Sequence, residues 1–135
     1  MDIKKFEVEE TSVIALCGSD DAPLVGEDGQ ALTITVYGPG SKPYAKAQSA
    51  QQNKLMERLR KKGKLDQAAE ESRQEQIDLL VACTKEFSSN IECEGLKGEA
   101  LYRAVYSNRG LGFISEQVAK HIAEWGNFTK GSPKP

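Results

Sequence analysis

The side chains able to do covalent or acid–base chemistry are few and scattered. The chain has one histidine, His121, and three cysteines, Cys17, Cys83 and Cys93. A hydrolase or transferase needs a base held against a nucleophile, and no Ser, Cys or carboxylate stands in a recognisable spacing to His121. His121 falls beside an apolar helical stripe, where a packing or boundary histidine suits the pattern. Cys83 and Cys93 with His121 offer three ligands, whereas structural zinc takes four, usually in paired short spacings. Cys83 lies in an apolar run and reads as a small core residue, and an odd cysteine count with no framework spacing points to reduced thiols. Gly38-Pro-Gly-Ser-Lys42 sits at a strand-to-helix junction, as a phosphate loop would. That loop requires a Gly, four residues and then Gly-Lys-Ser or Gly-Lys-Thr, and here order and length both differ. A strand stop followed by a helix N-cap at Ser41 accounts for every residue. The residues therefore predict no catalytic centre, cofactor or metal.

One charged cluster invites a binding role. Lys54, Arg58, Arg60, Lys61, Lys62 and Lys64 crowd one helix end. No aromatic residue interleaves them and the chain is acidic overall, with net charge −2 and pI near 5.5, so nucleic acid is an unfavoured partner. A cationic helix end instead suits the negative pole of the helix dipole. A third reading is self-association, with Arg58, Lys61 and Lys62 of one copy meeting Glu70 and Glu71 of another through exposed, salt-sensitive pairs.

These groups must be carried by a modest framework. A length of 135 residues predicts a single domain over 1–128 with a flexible tail over 129–135, and an apolar content of 39% allows only a small core. MDIKKFEVEE has no apolar segment of the signal-peptide kind, and no run approaches the roughly 18 apolar residues of a membrane span, so a soluble, intracellular protein is expected. Ser12 to Cys17 and Leu32 to Tyr37 alternate as strands, with a Gly26-Glu-Asp-Gly29 turn signal between them. Two strands are marginal alone, so this hairpin over 11–37 must lean on helices or a second subunit. Lys42 to about Lys62 reads as a helix with a thin, partly polar stripe, able to project with little of its surface buried. Leu65 to Phe87 reads as the longest helix, its second half apolar on most sides and central to the core.

The last part of the chain, from Leu101 to Phe128, reads as two helices broken at Asn108-Arg-Gly110 by backbone that tolerates positive φ. Leu111, Ile114, Val118, Ile122 and Trp125 form an apolar stripe along the second of them. Gly126 and Asn127 are expected to close that helix, with Phe128 folding back as a clasp. The stripe fills the core, or it lines a docking groove for a partner helix, or it does both on its two flanks. Phe113, Gln117 and His121 flank it, and replacing Phe113 or Gln117 is expected to weaken partner binding with little loss of fold. The predicted fold is thus α+β and mostly α: an N-terminal β-hairpin, then about four helices over 41–128, the last two forming a C-terminal pair.

The Gly112-Phe-Ile-Ser-Glu-Gln-Val118 run, followed by Ile122 and ending Gly126-Asn-Phe128, resembles the C-terminal signature of the tail assembly chaperones of long-tailed bacteriophages. Gln30-Ala-Leu-Thr-Ile-Thr-Val-Tyr-Gly38, with Ser41 and Tyr44 just after it, is similar to an N-terminal feature of the same group. The resemblance covers these two segments. It implies a non-enzymatic protein of the host cytoplasm that binds the helical tape measure protein, keeps it soluble, and is absent from the finished virion. It also implies self-association, and a longer, frameshifted form able to engage the tail tube protein. The partner-binding residues would be Leu111, Phe113, Ile114, Gln117, Val118, His121, Ile122 and Trp125, in a groove against the Ile77–Phe87 helix. Alternative readings are a head–tail connector or tail terminator, or a small nucleic-acid-binding regulator using the Lys54–Lys64 cluster. An enzyme stands behind all of these.

Overall fold

The computed structural model describes residues 2–61 and 68–129, without the side chains of Arg58, Lys61 and residues 68–70. Three antiparallel strands form one sheet in the order β1-β2-β3: β1 (Thr11–Ala15), β2 (Thr33–Tyr37) and β3 (Thr84–Phe87). Four helices accompany it: α1 (Lys42–Lys61), α2 (Ala68–Ala82), α3 (Gly98–Ser107) and α4 (Gly112–Ala123). The fold is the expected α+β, mostly helical one, with its N-terminal hairpin and C-terminal helix pair.

The alternation in the two N-terminal strands decides their faces. Ile14 stands opposite Ile34, and Ser12 opposite Val36, and all four are buried. Ile34 and Val36 lie on the central strand and are wholly covered, as the middle of a half-buried sheet requires. Ile77, Leu80 and Val81 of α2, Leu101, Val105 and Tyr106 of α3, and Ile114, Val118 and Ile122 of α4 complete one core cluster.

The third strand corrects the predicted Leu65–Phe87 helix, whose first residues, 65–67, lie outside the described ones. The helix stops at Ala82, and Thr84–Phe87 pairs with β2 instead. Thr84 Oγ1 donates to the Leu80 carbonyl at 2.7 Å, a local bond that competes with another helical turn. The Tyr37 N–H then finds the Cys83 carbonyl at 2.7 Å, and the Ser88 N–H finds that of Thr33 at 2.8 Å. Without β3 the second edge of β2 would be left with unmet backbone groups beneath the helices. Phe87, carried inward by the strand, packs 4.5 Å from Tyr102 and 5.9 Å from Tyr106, centroid to centroid. Cys83 is fully buried, and desolvation pushes its thiol up to about 11.

Helix α1 begins as expected. Ser41 Oγ accepts from the Tyr44 N–H at 3.3 Å and donates to the Gly38 carbonyl at 2.7 Å. Beyond that first turn, Ala47 is the one buried residue among those described, and residues 52–57 are all exposed, including Leu55 and Met56. The helix is tied to α2 by Gln51 Nε2, which donates to the Glu75 carbonyl at 2.9 Å, and by Asp78, which accepts from Lys54 of α1 at 3.1 Å and from Arg103 of α3 at 2.8 Å. Partial burial pushes the Asp78 carboxyl up, but the bonds from Arg103 and Lys54 more than offset this and hold it below the usual carboxylate range.

A candidate docking cleft beside the last helix

The break before α4 is made by a side chain. Asn108 Oδ1 accepts from the Gly110 N–H at 2.9 Å, and a 3-10 turn, Arg109–Leu111, leads into α4. The end of α4 is made the same way, with Asn127 Nδ2 donating to the His121 carbonyl at 3.0 Å. The expected positive φ occurs at neither place: among the described glycines it is found at Gly29, Gly95 and Gly98. The helix also ends two residues sooner than the stripe predicted. Trp125 opens a 3-10 turn, Trp125–Phe128, and is 56% exposed. Phe128 does fold back as a clasp, 1% exposed beneath Gly38.

The stripe and its flankers therefore part company. Ile114, Val118 and Ile122 are core. Gln117 holds the end of the first strand: its Oε1 accepts from the Cys17 N–H at 2.8 Å, and its Nε2 donates to the Cys17 carbonyl at 2.6 Å and to that of Phe113 at 3.0 Å. His121 Nε2 lies 2.9 Å from the Ser12 hydroxyl, and its ring meets Phe128 edge-on at 5.8 Å. Ser12 is buried in the sheet. A buried hydroxyl facing an imidazole has the elements of a nucleophile and base; here the contact also ties β1 to α4, with Ser12 buried and His121 half-buried against Phe128. They fasten the helix. Gln117 was expected to be replaceable with little loss of fold; its two bonds to Cys17 instead point to a structural role, whose cost a melt would read.

A groove does run between α2 and α4, with a volume of about 410 Å³. From α4 it takes Gly112, Ser115, Glu116 and Ala119, none of them a predicted partner-binding residue. The flank carrying Leu111, Phe113 and Ile114 opens onto a different hollow, on the far side of the helix from α2. It is a cleft of about 610 Å³ whose other walls come from the hairpin connection and from the loop after β3. Gln117, Val118, His121, Ile122 and Trp125 line neither hollow.

The lips of the cleft are built from the connection around Leu24–Asp28 and the loop around Asn90–Cys93, which sequence reasoning treated as turns and loops. Residues 16–32 form a folded tongue, in which three leucines exchange backbone bonds in a ring. The Leu16 N–H donates to the Leu32 carbonyl (3.0 Å), that of Leu32 to Leu24 (3.1 Å) and that of Leu24 to Leu16 (3.0 Å). Two isolated bridges, Cys17 to Pro23 and Val25 to Ala31, stiffen it. Its tip turns at Gly29, φ +78°, which a residue with a Cβ would resist. Asn90 pins the opposite loop to the tongue, Nδ2 donating to the carbonyls of Gln30 at 3.1 Å and Ala31 at 3.3 Å. Leu24 and Val25, caught between two turn signals, were the available hint that this connection carries apolar surface.

The self-association residues are less defined. Lys62 lies outside the described residues, as do the side chains of Arg58, Lys61 and Glu70; Glu71 is half-buried near the start of α2. Lys54, read as part of a solvated basic end, is engaged with Asp78. Among the described residues, no group of His, Cys, Asp and Glu is placed to hold a metal, and no helix is long and apolar enough to cross a membrane. Compared with known families, curated proteins and solved structures, the chain matches none.

Proposed function

We propose that this chain is a non-enzymatic assembly chaperone for a long helical client, of the kind its two terminal segments resemble: a phage tail assembly chaperone that binds the tape measure protein in the host cytoplasm and leaves before the virion is complete. The observation that carries the reading is the preformed apolar cleft at Leu111, Phe113 and Ile114. An extended client helix left bare exposes apolar surface that aggregates, and a chaperone must cover it reversibly. A helix laid in such a hollow, its large side chains inserted, is the simplest cover. Cys83 is sealed in the core, and the Ser12–His121 contact joins β1 to α4 and belongs to neither hollow.

Self-association belongs to the same reading. It is supported by the uncovered outer half of α1, where Leu55, Met56 and Leu59 are exposed on a helix that has little else to bury. A frameshift-extended form reaching the tail tube protein would continue from the tail beyond Thr129. The reading is tested by co-expressing the chain with the tape measure protein. The client should become soluble and co-purify, and Val25→Asp at the cleft lip should return it to the insoluble fraction. Solubility that is indifferent to the chain rejects the chaperone; solubility indifferent to Val25→Asp moves the site elsewhere.

A further inference from the structure

We infer that the cleft against the start of α4 selects client segments whose large apolar side chains are flanked by lysine or arginine. The existence of a client rests on the chaperone reading; its chemistry rests on the cleft. The floor is apolar and closed, made by Leu16, Ile34 and Ile114, all buried. Phe113 forms one wall, and Val25, 54% exposed, offers apolar surface at the lip. Around this floor stand three carboxylates, Glu27, Asp28 and Glu92, and no lysine or arginine belongs to the lining. All three are exposed at the surface, where they attract a cation and repel an anion on any segment entering the hollow.

The lips are set before a partner arrives. Asp28 Oδ1 accepts from the Gln30 N–H at 3.0 Å and lies 3.4 Å from Asn90 Nδ2. Gly26 permits that closeness, since a Cβ there would sit 2.9 Å from Asp28 Oδ1 and 3.0 Å from Asn90 Nδ2. A volume of about 610 Å³ admits a few large side chains of one helix, not a folded domain. The outer half of α1 in a second copy has related chemistry, with Leu55, Met56 and Leu59 among Lys54, Arg58 and Arg60, so it is the competing occupant that the test separates from a client.

The test uses the full chain and two labelled synthetic peptides with one helical sequence. Both carry Leu and Phe at i, i+3, i+4 and i+7; one is flanked by lysines, the other by glutamates. By fluorescence anisotropy the lysine-flanked peptide should bind about tenfold more tightly, with the gap narrowing as salt is raised. The isosteric variant Glu27→Gln/Asp28→Asn/Glu92→Gln, which keeps the acceptors of the tongue, should bring the two peptides within about threefold of each other. Val25→Asp, at an exposed position, should weaken both. Equal binding to the unaltered chain, or a preference that survives the triple variant, overturns the inference. Peptide affinity that weakens as the chain concentration is raised, and no longer does so for Leu55→Asp/Leu59→Asp, also overturns it, and gives the cleft to a second copy. A charge preference with no effect on tape measure solubility leaves the cleft standing and removes the chaperone; a solubilised client with no preference does the reverse.

Discussion

Gly38 and Phe128 show how tightly single side chains constrain this chain. A Cβ at Gly38 would fall 2.5 Å from the Phe128 ring, closer than any real contact allows. Gly38→Ala should therefore cost about 1–3 kcal/mol, the range of an overpacked core. In a Phe128→Ala background the same change should cost much less, and thermal melts of the four proteins give the coupling directly. Gln117→Ala should cost roughly 1–3 kcal/mol, because it strands the partly buried N–H and carbonyl of Cys17. A melt indistinguishable from the parent would show that water replaces the amide. The Gly38 turn was legible as a strand stop, and Phe128 as a clasp; that the one exists to admit the other was not, since ninety residues separate them. Gln117 looked like a flanker because helical spacing reports which side of α4 it occupies, not which strand waits there.

At the scale of elements, the strands with clean alternation were legible because each buries one face. Thr84–Phe87 was not, because Thr-Lys-Glu-Phe follows an apolar helical run with no break and has no alternation to read: Thr84 and Phe87 are buried, with two exposed residues between them. Pairing with β2, a tertiary demand, decided its conformation. The helices are also joined by charge. Asp78 bridges α1, α2 and α3, and its carboxyl is held below the usual range, so more protons bind in the unfolded chain than in the folded one as pH falls. The stability it adds is complete above the unfolded carboxylate value, about 3.9, and is lost as pH drops through the lower folded value. Asp78→Asn should remove roughly 0.2–1 kcal/mol near neutrality, discounted for its partial exposure, and nothing once the parent carboxylate is protonated. Urea titrations of both proteins at neutral and acid pH would show the gap close; a gap that widens in acid would mean the bridge is not the cause.

For the molecule as a whole, the core and the two open surfaces divide the work. The sheet and α2 to α4 supply the core cluster, to which α1 contributes Ala47. The outer half of α1 and the cleft beside α4 are left over. The first was legible as a thin stripe on a projecting helix. The second was not, because its walls come from residues near 25, 90 and 113 that no periodicity connects. If the uncovered α1 surface mediates self-association, Leu55→Asp/Leu59→Asp should lower the mass seen by light scattering at high protein concentration by more than its cost to the melt explains, since these side chains are 38% and 48% exposed. An unchanged mass would locate the contact elsewhere.

The most direct test is amide hydrogen exchange on the purified chain with and without the tape measure protein. Slowed exchange should appear at the tongue around Val25, at the loop around Asn90 and at the start of α4, with the α2–α4 groove unaffected. Slowing confined to that groove, or to α1 alone, would contradict the cleft as the place where a client is held.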